Sequence, residues 1–241
     1  SFLNVCIYRI PKKENIVTTR SHCMSCDYSL KWYDLIPIFS YLALIGHCRK
    51  CGEKISPQYP LIELLNGVLY VLIFVVRGFS TKSVETLNYN LVSVLFCLAV
   101  SALLVLSVID FKIYEIPVEV NYFLLVIGLI RVGLDYMNWV IYLIGFIVVS
   151  FFLYLIFVIS KGRAIGGGDI KLMAVGGLLL GWQGILLAFI LGCIFGSVIH
   201  LIRMKISHTD KVLALGPYLS IGMLIVMLYG NKLWAWYLGG F

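Results

Sequence analysis

Two aspartates and four cysteines carry most of the chemistry open to this 241-residue chain. Asp110 closes the apolar run Leu-Leu-Val-Leu-Ser-Val-Ile, and Asp169 follows Gly166-Gly167-Gly168 and opens another run. A charge in hydrocarbon costs about 2.5–3.5 kcal/mol on insertion scales, so acids in such places are functional candidates. Two neighbouring carboxylates hold one proton between them, because both cannot easily ionise side by side. Such a pair can hydrolyse an amide: one carboxylate activates water while the other protonates the carbonyl oxygen. The three glycines leave a backbone without side-chain bulk, which lets a substrate strand approach closely. The structural alternative for Asp169 alone is a helix N-cap beside a loose glycine loop. Glu63, three residues beyond Pro60, reads as a polar anchor between helices or as part of a second site.

The cysteines form two pairs, Cys23-x-x-Cys26 and Cys48-x-x-Cys51, with 21 residues between them. Each pair sits in a locally repeated string, Ser-His-Cys-Met-Ser-Cys and Gly-His-Cys-Arg-Lys-Cys. Ribbon-type zinc sites space their pairs by about 15–20 residues, so 21 is a near fit. Four thiolates close a tetrahedral zinc ion with no open position, which makes the expected role structural. The competing readings are a redox pair or idle thiols, and a reducing compartment disfavours disulfides. His22 and His47 each precede a Cys and could substitute as ligands, although such a His is more often solvated or an outer partner. The stretch 35–46 is apolar but too short to span, so it is expected on the membrane surface or against the helices.

These groups need elements to position them, and composition identifies the kind. Apolar residues make up 61% of the chain, charged residues 13%, and mean hydropathy is +0.98. A soluble domain averages about 45–50% apolar and about 25% charged, so lipid is the expected surrounding. Crossing the hydrocarbon takes about 20 apolar residues in a helix. Spans read near 60–77, 91–109, 118–134, 139–159, 170–181, 183–202 and 214–230. The run 170–181 is short and contains Gly, which fits a tilted or partly re-entrant segment. Residues 1–10 read as the end of a truncated first span. The expected fold is therefore all-α: a polytopic membrane bundle with a small zinc-ribbon-like domain at 11–57 and a catalytic transmembrane domain at 58–241.

The +7 charge does not call for nucleic acid, because basic residues mark cytoplasmic loops in membrane proteins. With the Cys segment inside, fifteen of the 19 Lys and Arg fall inside, and Arg77, Lys82, Arg131 and Lys232 fall outside. Asp110 and Asp169 then lie at the same, cytoplasmic depth and could meet. Lys112 and Lys171 each follow an Asp by two residues, a spacing that does not share a helix face, so they read as headgroup anchors. Trp234, Trp236 and Tyr237 read as an interfacial belt at the outer end.

Taken together, these residues resemble the bacterial type IV prepilin peptidases, integral-membrane aspartyl proteases of the G-x-G-D class. The resemblance covers nearly the whole chain. It runs through Ser-Phe-Leu-Asn-Val-x-Ile-Tyr-Arg-x-Pro at 1–11, both C-x-x-C pairs, Trp32-Tyr33-Asp34-x-Ile36-Pro37 and Tyr59-Pro60-x-x-Glu63-Leu64. It continues through Asp110 with Ile116-Pro117, the string Gly166 to Leu172, and Gly216-Pro217-Tyr218. The resemblance implies a bifunctional enzyme of the bacterial inner membrane. Such an enzyme cuts the leader of a prepilin or pseudopilin at the cytoplasmic face, then methylates the new N-terminus with S-adenosylmethionine. Asp110 and Asp169 match the family's catalytic pair, and the Cys segment matches the part linked to zinc and methylation. Val118 stands where the family often has Asp, and Ala164 where it has an upstream Gly. No Gly-rich soluble methyltransferase motif is present, so methylation follows from the resemblance alone. The competing class is a proton-coupled transporter with a zinc-ribbon regulatory domain. A membrane-tethered scaffold is a third reading, and it leaves both aspartates without a role.

Overall fold

Where water is absent, a chain must satisfy its backbone polar groups within each segment, and long apolar runs therefore become helices. A computed structural model describes residues 2–16, 20–78, 84–207 and 213–239. Lys82 and Lys211, assigned above to the outer and inner sides, lie outside the described residues, as does Ser1. All regular elements among the described residues are helical, as expected. The chain divides into two compact units, Ser1–Leu72 and Ile73–Phe241.

The first unit contains α1 (Phe2–Arg9), a single 3-10 turn at Trp32–Leu35, α2 (Phe39–Ala43) and most of α3 (Gln58–Arg77). The apolar stretch between the cysteine pairs leaves Phe39, Leu42 and Ile45 exposed.

The second unit holds α4 (Val84–Ile113), α5 (Val118–Leu134), α6 (Trp139–Ile159), α7 (Gly167–Ser207) and α8 (Gly216–Gly239). Helix α7 packs against α5, α6 and α8, and α4 packs against α5 and α8. Fully buried Leu106, Leu124, Leu153, Leu172, Met173, Ile185, Leu219 and Met223 form the core. Ser93, Ser101, Asp110, Asn121, Asp169 and Ser220 are also buried, while Phe151, Phe152, Leu155 and Ile159 are exposed. Apolar residues outside and polar groups within is the arrangement expected of a chain solvated by lipid. Among the described residues, four helices are long and apolar enough to cross a membrane, and Gly216–Gly230 is a shorter apolar helix.

Helix α7 is two arms. Gly181 breaks it with φ 73° and ψ 173°. A Cβ at Gly176 would lie 2.9 Å from Ile185 Cδ1, yet nine residues of straight helix span about 13.5 Å. The chain therefore folds back at Gly181, which separates the two sequence spans 170–181 and 183–202. The first arm is only about 20 Å long at 1.5 Å per residue.

Close contacts set the helix directions. A Cβ at Gly128 would meet Leu178, and one at Gly168 would meet Ile116, so α5 runs parallel to the first arm of α7. Gly145 meets Gly177, which runs α6 antiparallel to that arm. Gly196 meets Tyr218 and Gly184 meets Val226, so α8 is antiparallel to the second arm. One end of this unit therefore gathers Asp110, Ile116, Asp169 and Gly216. The other gathers Arg77, Asp135, Gly181 and Trp234.

Candidate functional site

Asp110 lies in the last turn of α4 and is 4% exposed. Its Oδ2 accepts the backbone N–H of Gly216 at 2.9 Å, which ties α4 to the start of α8. A Cβ at position 216 would stand 2.6 Å from that same oxygen, so only glycine lets the amide reach it. Asp169 is the third residue of α7, in its first turn rather than at its cap, and is 9% exposed. Its backbone N–H donates to Gly166 O, and its Oδ1 is buried with no hydrogen-bond partner among the described residues. Ile116, just beyond α4, packs against Gly168, the neighbour of Asp169, so both acids stand at the same end of the second unit.

The glycine string is not uniformly open. A Cβ at Gly168 would lie 2.7 Å from Ile116, and one at Gly166 would lie 3.2 Å from Asp169 Oδ2. Only Gly167 faces free space. Around this end Phe111 meets Tyr218 edge-on, with ring centroids 6.2 Å apart, and the Arg203 guanidinium lies 6.0 Å from the Phe111 ring. Tyr218 Oη is buried without a partner. Asn121, one turn into α5 from Pro117, is 4% exposed and neither amide atom has a partner. Such unmade hydrogen bonds are costly inside a protein. They suit a site that completes its bonding with water or a polar substrate backbone.

In the first unit, the four cysteine sulfurs lie within 4.8 Å of one another. Cys23 and Cys51 are 3.8 Å apart, and Cys26 and Cys48 are 4.0 Å apart. Zn–S bonds of about 2.3 Å in a tetrahedron put sulfurs about 3.8 Å apart, so the cluster has the size a zinc ion needs. The two halves repeat in three dimensions. Cys23 N–H donates to Tyr28 O, and Cys48 N–H to Glu53 O; Asp27 N–H donates to Cys23 O, and Gly52 N–H to Cys48 O. His22 bridges Ser29, and His47 bridges Lys54, in the same register. Asp27 and Gly52 both take left-handed backbone, with φ 52° and 72°. Both His lie outside the four-residue cluster. Backbone N–H groups of Cys51 and Lys50 pull the Cys48 thiol down to about 6, toward the thiolate that binds metal. Arg49 pairs with Asp34 at 2.9 Å, linking the second knuckle to the Trp-Tyr-Asp segment.

Glu63 Oε2 accepts the N–H of Ile38 at 3.0 Å, so it fastens the turn before α2. It also lines a cavity of about 470 Å³ within this unit, with Asn4, His22, Asp34, Glu53 and Tyr59. Asn4 donates to Tyr59 O, and its Oδ1 is buried without a partner.

Residues 1–77 match the bacterial peptidase A24 N-terminal domain, and residues 97–201 match the type IV leader peptidase family. The prepilin leader peptidase/N-methyltransferase of Aeromonas salmonicida strain A449 is 32% identical over 278 residues, covering 99% of this chain and 89% of that protein. This chain belongs to the type IV leader peptidase family. The protein of the same name from Bacillus subtilis strain 168 is 30% identical over 233 residues, covering 95% and 90%. No solved structure matches the chain. The family match at 97–201 includes both aspartates, and the match at 1–77 includes the four cysteines and Glu63.

Sequence reasoning found the two aspartates but not their surroundings. Gly216 and Tyr218 entered only as part of a resembling string, and their contact with Asp110 and Phe111 was not visible. Asn121 was missed altogether, although an amide in the apolar run 118–130 was the signal that could have flagged it.

Proposed function

We propose that this chain is a membrane aspartyl endopeptidase that removes the leader of prepilins or pseudopilins and then methylates the new N-terminus. The observation that carries the reading is the pair of buried acids Asp110 and Asp169 at one end of the second unit, in a chain of the leader peptidase family. No feature supports proton-coupled transport: both acids sit at a helix end of the bundle rather than at its middle.

In this reading the pair shares one proton. The charged carboxylate takes a proton from water as the water oxygen attacks the scissile carbonyl carbon. The protonated partner gives its proton to the carbonyl oxygen. Collapse of the tetrahedral species breaks the C–N bond, and the departing nitrogen receives a proton to leave as a free amine. Asn121 and Tyr218 Oη would orient the substrate strand. Among the described residues of the second unit, Lys112, Lys161, Arg163, Lys171, Arg203 and Lys205 belong to the aspartate end, against Arg77, Arg131 and Lys232 at the other. That bias supports a cytoplasmic active site in the bacterial inner membrane. Exposed Phe39, Leu42 and Ile45 suit a segment resting on the membrane surface.

Cys23, Cys26, Cys48 and Cys51 would hold a structural zinc. S-adenosylmethionine supplies the methyl group when bound. In the cavity of the first unit, which Arg9, Arg49 and Lys54 also line, Asn4 Oδ1, Glu53 and Glu63 would bind and orient its cationic sulfonium.

The test uses purified full-length protein and a prepilin. Asp110→Asn and Asp169→Asn should each lose nearly all cleavage, and the double variant should be little worse, because groups acting as a unit are non-additive. Both variants should still methylate a pilin that has already been cut. Near wild-type cleavage by Asp110→Asn would remove the aspartyl mechanism.

A further inference from the structure

The end of the second unit opposite the aspartates holds a second cavity, of about 860 Å³. Arg77, Arg131 and Lys232 line it, and Asp135 is its one acid among the described residues. Asp135 is already engaged: Tyr142 donates to its Oδ2 at 2.7 Å and Asn138 to its Oδ1 at 2.9 Å, while Arg131 approaches only to 3.8 Å. Nε of Arg131 is buried without a partner among the described residues. The Arg77 guanidinium is held between the rings of Tyr89 and Phe96, 4.7 Å from each, and its Nε donates to Ser93 Oγ at 3.0 Å. No acid whose side chain is described pairs with Arg77. Both arginines line this one cavity.

Two fixed guanidiniums lining one cavity, in which the single acid among the described residues is already engaged, attract an anion. Helix C-termini contribute about half a negative charge each, which offsets part of Arg77 and Arg131. That explains neither the cavity nor the unpartnered Nε. Aromatic stacking fixes each fork in place, Arg131 lying 5.1 Å from the Tyr142 ring. A planar fork binds phosphate through two parallel hydrogen bonds. The cavity lies at the end of the spans, with Tyr229 and Trp234 in its wall, and such amphipathic rings sit at headgroup level. Its volume exceeds a single phosphate and admits a headgroup.

We propose that this cavity binds a phosphate-bearing anion, and that the anion is the headgroup of an anionic membrane phospholipid. Arg77 and Arg131 take the phosphate, and exposed Lys232 adds charge at the rim. The site is independent of the proteolytic assignment.

The experiment uses delipidated full-length protein in neutral detergent, titrated separately with phosphatidylglycerol, phosphatidylcholine and inorganic phosphate. Thermal unfolding and native mass spectrometry read binding. Phosphatidylglycerol should raise the unfolding temperature and stay bound in the gas phase, and phosphatidylcholine should do neither. Arg131→Gln should weaken the apparent affinity by about tenfold, with Arg77→Gln similar. If an arginine variant fails to fold, Lys232→Gln should still fold normally and bind phosphatidylglycerol about threefold more weakly. Equal stabilisation by phosphatidylcholine would overturn the proposal, as would undiminished binding in the Arg77→Gln/Arg131→Gln variant. Inorganic phosphate giving the full shift while phosphatidylglycerol gives none would overturn the lipid assignment.

Discussion

Asp110 and Asp169 belong to one site but are held differently. Asp110 has a backbone amide on Oδ2, supplied by a glycine 106 residues away, whereas Asp169 keeps Oδ1 without a protein partner. That contrast yields a residue-level prediction. Gly216→Ala puts a methyl group 2.6 Å from the Asp110 carboxylate and should cut cleavage by at least about tenfold, a cost of about 1.4 kcal/mol in the barrier. Gly167→Ala, with nothing within 4 Å, should cleave within about threefold of wild type. Rates against one prepilin under single-turnover conditions decide between them. Equal losses in both would mean that the glycine string matters for reasons other than space around Asp110.

Among the elements, α7 is the one on which the site depends, because its break sets where Asp169 stands relative to the second arm. Gly181 takes φ 73° with ψ 173°, a region essentially confined to glycine, which costs an L-residue about 1–3 kcal/mol. Gly181→Ala should therefore lower the unfolding temperature. Gly177→Ala should do so more strongly, since its Cβ would meet Gly145 O at 2.1 Å and drive α6 from α7. Overpacking of this kind costs about 1–3 kcal/mol or more. Gly133→Ala in α5, with nothing within 4 Å, is the control and should be neutral or stabilising by about 0.5–1 kcal/mol. Thermal unfolding of the three variants in one detergent orders them. Destabilisation by Gly133→Ala equal to that by Gly177→Ala would show that the close α6–α7 crossing is not what holds the first arm.

For the whole molecule, the division into two compact units predicts separable failures. Structural zinc sites contribute about 10–16 kcal/mol of apparent binding energy, enough to decide whether a small domain folds. Cys23→Ser, or chelation of the wild type, should raise proteolysis and hydrogen exchange across 11–57 and abolish methylation, while helices of the second unit keep their protection. Cleavage should be partly retained. Metal analysis of fresh protein should find one zinc per chain, and none with four free thiols would refute the site. Orientation has its own check: a cysteine probe at position 163 should resist an impermeant reagent applied outside the cell. Efficient labelling there would reverse the proposed topology.

By itself the sequence determined the helical class, the positions of the long helices, the repeated knuckles and the presence of two acids in apolar runs. Each depends on local pattern or on cost: an apolar run in lipid has only the helix available, two C-x-x-C strings carry their own turns, and an acid in an apolar run stands out against its neighbours. Tertiary structure decided which atoms meet. In a soluble helix the polar face says which side is out, but here core and lipid-facing sides are both apolar, so the pattern does not reveal helix rotation. The fold-back at Gly181, the α6–α7 contact at Gly145 and Gly177, the Gly216 amide on Asp110 and the aromatic cradle of Arg77 all depend on rotation and crossing. They join residues far apart in the chain, and the packed bundle alone brings them together.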